Sequence, residues 1–208
     1  MIRLLDPTDP NDISLFEQTL NEIVQTDNAV YHTDGLQISF DKYVKLFSTI
    51  ETNPAKQFYV SAEIIDGKIV RMMVLSTMNK LWTRIQIESK VHYFAMVFWY
   101  TAPGYTKENP YDNEVGKLAF DKFIDQKMYT FVALMKGPRT RAGLNYYQNK
   151  MFKKIERFNV YIDHYIDSQE SLETLMKNNP WFSVILPFNF KNPLVLYTGV
   201  IKPEFRKL

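Results

Sequence analysis

Two rhythms of apolar spacing run along this chain, and together they predict helices and strands in alternation. Ile2 to Leu5 is a short apolar run stopped by Asp6-Pro7, which predicts a brief strand. After Asp12, Phe16, Leu20 and Ile23 recur at three- and four-residue steps, the period of a helix with one buried face. Ser39 is placed to cap a second helix carrying Tyr43, Leu46, Phe47 and Ile50, with Pro54 as its stop. The rhythm then shortens to two. Phe58, Val60, Ala62 and Ile64 alternate with Tyr59, Ser61 and Glu63, and Asp66-Gly67 is a hairpin turn leading into Ile69 to Thr77. Leu81 to Ile87 alternates as well. Val91 to Thr101 is almost continuously apolar and aromatic, the mark of a central strand buried on both faces.

Thr101 to Pro110 holds Pro103-Gly104 and a second proline, so it is a loop. A helix is predicted from Asp112 to Gln126, a strand from Met128 to Met135, and a further helix from Thr140 to Lys150. Ile155 to Ile166 is a strand. Asp167 with Glu170 is a capping box for a helix ending near Asn178, and Leu194 to Ile201 is the last strand. The predicted order is β-α-α-β-β-β-β-α-β-α-β-α-β, a mixed α/β sheet flanked by helices. At 208 residues, against roughly 100–200 per domain, it is expected to form one domain over 1–208, with a core at about 57–166 and an extension over 167–208.

Composition narrows the chemistry more than it names it. There is no cysteine, which excludes disulfides, thiolate metal sites and a cysteine nucleophile. The 25 basic and 23 acidic side chains leave a formal charge of +2, too little to mark a nucleic-acid or membrane surface. No apolar run approaches the ~20 residues of a bilayer span, and the first residues lack the apolar core of a secretory signal. A soluble, cytoplasmic-type protein is expected. His32, His92 and His164 are far apart, no motif has metal-ligand spacing, and Asp163-His164 with Asp167 reads as a polar strand end. Neither a G-x-S-x-G elbow nor a G-x-x-x-x-G-K-[ST] loop occurs, and glycine is scarce at seven residues.

Three short segments carry a family resemblance. Tyr100-Thr101-Ala102-Pro103-Gly104-Tyr105 follows the central strand, Val115-Gly116-Lys117-Leu118-Ala119 opens the next helix, and Tyr147-Gln148-Asn149-Lys150-Met151-Phe152 lies late in the chain. In that order, the three segments and the element order around them resemble the GNAT (GCN5-related N-acetyltransferase) superfamily. The resemblance implies a GNAT-like mixed sheet, an acetyl-CoA or other acyl-CoA donor, and N-acyl transfer. It implies a cofactor site at Tyr100, Thr101, Val115, Gly116 and Lys117, and Tyr147 as the acid that protonates the leaving thiolate. A general base would stand on the central strands, where Glu88 and His92 are the candidates.

The departures bear on activity. Relatives open this helix with a Q/R-x-x-G-x-G/A loop, whose backbone N–H groups seat a diphosphate. Here Tyr111-Asp112-Asn113-Glu114-Val115-Gly116 keeps only the last glycine and brings in carboxylates. Like charges a few ångströms apart cost on the order of 1 kcal/mol even in water. Met151 also replaces the family glycine before Phe152, so the helix exit must be made differently. Two readings follow: an acyltransferase-like protein with a degenerate or inactive CoA site, or a non-catalytic GNAT-like domain serving assembly. For the second, Trp181, Phe182, Phe188 and Phe190 are candidate partner-binding aromatics in loop-like surroundings. The basic run Lys136, Arg139, Arg141, Lys150, Lys153, Lys154 and Arg157 reads as a solvated helix face rather than a nucleic-acid site.

Overall fold

The computed structural model describes residues 1–25, 40–49, 58–76, 85–87, 94–106, 108–109, 111–127, 129–136, 140–178, 182–184 and 193–207. In chain order the elements are β1 (Ile2–Leu4), α1 (Pro10–Gln25), α2 (Phe40–Ser48), β2 (Phe58–Ile65), β3 (Lys68–Ser76), β4 (Ile85–Ile87), β5 (Phe94–Thr101) and α3 (Glu114–Asp125). They continue with β6 (Thr130–Lys136), α4 (Arg141–Tyr146), β7 (Phe158–Ile166), α5 (Gln169–Asn178), β8 (Phe182–Val184) and β9 (Leu194–Ile201).

Seven strands form one sheet in the order β1-β2-β3-β5-β6-β9-β7, and β4 pairs with β8 in a small second sheet. The β2–β3 hairpin is made where the sequence places it. Asp66 and Gly67 have φ of 49° and 73°, the doubly positive backbone that matches the twist of flanking strands and that Asp-Gly adopts readily. Among the described residues, only the β5–β6 contact in this sheet is parallel. The last strand, β9, is inserted antiparallel between β6 and β7, taking a partner on each side.

Alternation along the central strands sends side chains into two separate cores. On one face Met72, Val74 and Tyr100 pack with Phe16, Leu20 and Ile23 of α1 and Tyr43 and Phe47 of α2. On the other, Met73, Leu75 and Trp99 pack with Val115, Ala119, Phe120 and Phe123 of α3 and with Phe158, Val195 and Tyr197. Trp99 and Tyr100 are therefore buried on opposite faces, as a central strand requires.

Element ends show where local hydrogen bonding overrides periodicity. Helix α1 starts at Pro10 because Asp9 caps it, accepting from the Asn11 N–H at 2.9 Å. Asp12, which the spacing marks as the start, is buried and turned to Arg3. Before α5 the reciprocal box is made by Ser168 and Ser171, not by Asp167 and Glu170: the Ser171 N–H donates to Ser168 Oγ at 3.1 Å and the Ser168 N–H to Ser171 Oγ at 3.0 Å. A one-residue shift of the helix start moves the capping pair with it. The helix expected to Lys150 is α-helical only to Tyr146. It widens to a π segment over Tyr147–Met151 and tightens to a 3-10 turn over Phe152–Lys154.

Candidate functional site

The central parallel contact is let go almost as soon as it forms. Strands β5 and β6 pair at Phe94 with Phe131 and at Ala95 with Val132, and no further. Beyond that point β5 runs on to Thr101 held only by β3, and β6 runs on to Lys136 held only by β9. The parting coincides with a bulge: Val74 pairs with Phe98 and Leu75 with Met96, which leaves Val97 as the extra residue on β5. A bulge bends its strand and raises local twist, and such kinks recur beside active sites. The result is a wedge whose two walls carry strand-edge N–H and C=O groups, able to hydrogen-bond an extended, amide-bearing molecule.

The loop at the wedge mouth is tied to the sheet by Arg71. Its guanidinium pairs with Glu63 and with Glu108 at 3.0 Å, and donates to the Thr106 carbonyl at 3.2 Å. Thr101, in register with Arg71, ends β5. Thr101 Oγ1 and Arg71 Nε are buried and have no hydrogen-bond partner among the described residues.

Four N–H groups at the start of α3 are taken up within its own loop. Asn113 is the N-cap, and its side chain accepts from the Gly116 N–H at 2.7 Å. Asn109 takes the next share: its Oδ1 accepts from the Tyr111 N–H at 3.2 Å, and its carbonyl accepts from the N–H groups of Asp112 and Asn113 at 3.2 and 3.1 Å. Asp112 does not face a ligand position, since its carboxylate accepts from Asn109 Nδ2 at 2.9 Å and from the Glu156 N–H at 3.1 Å. Glu114 extends into solvent and pairs with Lys117 at 3.2 Å. Tyr111 is turned into the core. Its ring stacks on Phe120, and its hydroxyl is hydrogen-bonded to that of Tyr197. Burial pushes both phenols well above their ordinary pKa, so they stay protonated. The Asn113 cap predicts a measurable cost: Asn113→Ala should lower stability by about 1 kcal/mol in urea unfolding.

The sequence-derived site residues are distributed as follows. Tyr100 is buried against the α1 side, where burial and then the Glu22 carboxylate raise its pKa. Val115 is in the α3 core, and its carbonyl accepts from Ser61 Oγ at 2.7 Å. Gly116 is buried at the helix start and Lys117 is half-buried beside it. Tyr147 is the first residue of the π segment, the irregular helix turn often met at functional positions. Glu88 and His92 lie outside the described residues, as do Trp181, Phe188 and Phe190, and Phe182 begins β8. Sequence reading missed Asn109 and Asn113, although Asn three residues before Gly116 at a helix start is a capping signal. Among the described residues no group of three or more His, Asp or Glu side chains converges as a metal site, and no helix is long and apolar enough to cross a membrane.

No protein-family model matches the chain, and no curated protein matches it by sequence. Solved structures do match by shape. The aminoglycoside 6'-N-acetyltransferase from Enterococcus faecium superposes with a TM-score of 0.53 at 8% identity, covering 98% of each chain. A probable acetyltransferase from Staphylococcus epidermidis (TM-score 0.49, 12% identity, 97% of this chain and 98% of that one) is similar at a lower level. So is an acetyltransferase of the GNAT family from Streptococcus pneumoniae (0.47, 13%, 97% and 99%). With the strand order, the parted parallel pair and an end-to-end superposition of this kind, the chain has the GNAT fold.

Proposed function

We propose that this protein is acyltransferase-like, with a wedge suited to the pantetheine arm of an acyl thioester and a degenerate seat for the donor's diphosphate. The observation that carries the reading is the parting of β5 from β6 at Ala95 and Val132, with the Val97 bulge beside it. The arm's amides match the strand-edge groups of the walls, and the unpartnered Thr101 hydroxyl stands at the end of the β5 wall. A diphosphate does not fit the start of α3. The N–H groups of Tyr111, Asp112, Asn113 and Gly116 already have acceptors within the loop, and two carboxylates occupy the same turn. Tyr147 remains the candidate acid of this reading. Acyl-CoA would supply an activated acyl group; the residues described supply its orientation. The four N–H groups taken at the α3 start also favour a second reading, a GNAT-like domain that does no chemistry.

Thermal shift and calorimetry with two donors separate these readings. Saturating ligand stabilises by mass action, about 2.7 kcal/mol at 100 times Kd. Acetyl-CoA and acetyl-pantetheine are expected to bind within about threefold of each other, because four N–H groups around that helix start are already taken by Asn109 and Asn113. Glu114→Gly should strengthen acetyl-CoA binding several-fold and leave acetyl-pantetheine unchanged. Acetyl-CoA binding roughly 100-fold tighter than acetyl-pantetheine would show an ordinary diphosphate seat and remove the degenerate part of the proposal. No shift with either ligand at ~10 mM would remove the donor site altogether and leave the non-catalytic reading.

A further inference from the structure

Between Asp125 and Glu156 the chain carries seven basic residues and no acidic one. The last three of them, Lys150, Lys153 and Lys154, are all exposed, and Tyr146 one turn earlier is 62% exposed. The fold turns the lysines outward. Residues three apart in a 3-10 turn eclipse one another, and in the turn over Phe152–Lys154 it is Phe152 and Ile155 that face the α3 core. Phe152 packs on Tyr197 there, with ring centroids 5.5 Å apart. Lys153 and Lys154 are left on the outside. Among the described residues none of the three lysines is in an ion pair.

This segment is fixed beside the start of α3. The Glu156 N–H donates to Asp112 at 3.1 Å, and the Arg157 guanidinium pairs with Asp121 on α3. Lys202 Nζ donates to the carbonyls of Ile155 and Glu156 at 3.1 and 2.7 Å. The backbone just beyond Lys154 is therefore clamped against the turn where a donor's diphosphate would be seated. Nearby carboxylates do little to cancel the lysines. Asp112 is bonded to Asn109 and to the Glu156 N–H, Glu114 is paired with Lys117, and Asp121 with Arg157. Glu156 is exposed and unpaired among the described residues, one charge against three.

A pantetheine arm that fills the wedge must continue past this turn. In CoA it continues as a diphosphate and a nucleotide, which call for N–H donors, and four of those are taken. An arm esterified to a serine of a protein continues as one phosphodiester of single charge, followed by that protein's own surface. Recognition then falls to whatever lies beside the exit, and an excess of cations there selects an acidic surface. We propose that the acyl donor is a pantetheine thioester borne on an acidic carrier protein, which docks on Tyr146, Lys150, Lys153 and Lys154. This rests on the acyltransferase reading and names its donor. The transfer balances as for any thioester. The acceptor nitrogen bonds the carbonyl carbon, the C–S bond breaks with its electron pair on sulfur, and the proton shed by nitrogen replaces the one given to the thiolate.

The test is calorimetry on the full chain with four probes: the acetyl-loaded acyl carrier protein of a bacterial fatty-acid synthase, the same carrier without its arm, acetyl-pantetheine, and a single-stranded oligonucleotide. Joining arm and body in one ligand should make the loaded carrier on the order of 100-fold tighter than acetyl-pantetheine. Its affinity should fall about tenfold from low to high salt. Lys153→Glu combined with Lys154→Glu should weaken the loaded carrier about tenfold and leave acetyl-pantetheine unchanged. Lys45→Glu combined with Lys177→Glu, the same change of charge at exposed sites on α2 and α5, should leave both as in the parent. A loaded carrier that binds no tighter than acetyl-pantetheine, or ignores the Lys153 and Lys154 changes, overturns the proposal and spares the wedge. So does an oligonucleotide that displaces the armless carrier at equal concentration, since the patch would then be a general polyanion surface. Absence of acetyl-pantetheine binding removes the wedge reading, and the carrier proposal with it.

Discussion

Phe120→Ala should cost about 3–5 kcal/mol, the range for emptying a large aromatic site in a core that relaxes only in part. Phe120 is fully buried on α3, with its ring centroid 4.5 Å from that of Phe158 and 6.1 Å from that of Tyr111. It joins the helix to β7 and, through Tyr111, to the loop that leads into the helix. A domain with about 5–15 kcal/mol in total loses a large share of its stability. The check is urea unfolding with the slope unchanged and the midpoint lowered. Tyr146→Ala, on a side chain 62% exposed, should stay within about 0.5 kcal/mol of the parent. A Phe120→Ala loss below about 1.5 kcal/mol would mean that α3 is not packed as described.

Asp12→Asn is the second large effect and it carries a pH signature. Asp12 is 2% exposed, paired with Arg3 through both guanidinium Nη atoms, and accepts the Asp6 N–H at 2.7 Å. The Arg3 hydrogen bonds hold its carboxyl below the ordinary value of 3.8, against the opposing effect of burial. A folded-state pKa below the unfolded one stabilises the protein above the unfolded value, and that stability is lost as pH falls through the folded value. Removing one partner of a buried ion pair costs 3–5 kcal/mol. The Arg3 side chain is 34% exposed and partly screened, so about 2–3 kcal/mol is expected at pH 7. The gap between parent and variant should narrow as pH falls from about 5 towards 2. An equal gap at pH 7 and pH 3 would sink the account.

How much of this was legible beforehand depended on the range of the interaction responsible. The Asp66-Gly67 hairpin and the burial of Trp99 and Tyr100 on opposite faces of β5 are local consequences of turn chemistry and apolar run length, and both stand in the structure, while residues 91–93 of the expected strand lie outside the described residues. Helix starts were read to within a residue or two, and the misses have one cause. Asp12, Asp112 and Asp167 are all acidic residues near a helix start, but Asp12 and Asp112 are spent on partners distant in sequence or on loop backbone, and the caps fall to Asp9, Asn113 and Ser168. The π segment after Tyr146 was outside the reach of periodicity, because the helical spacing continues through a widened turn. Strand β8 is three residues long, too short to show alternation.

The candidate site was half legible. The break in the glycine pattern around Glu114 is plain in the letters, and it led to an expected clash of charge. The structure adds a different obstacle in the same place. Asn109 and Asn113 take four N–H groups around the helix start, while the Asp112 carboxylate is bonded to Asn109 and the Glu156 N–H. The wedge depends on which strands lie side by side, and no local pattern encodes that.

The insertion of β9 between β6 and β7 imposes an order of events on biogenesis. A ribosome makes β6 and β7 first, and each must wait with a bare edge until the strand that bridges them has been synthesised. The β6-β9-β7 part, three of the seven strands, thus closes only once β9 has been made. Slow closure of such distant pairings exposes sticky edges to neighbouring nascent chains, so soluble yield should depend on chaperone supply and on growth temperature more than the stability of the finished protein suggests.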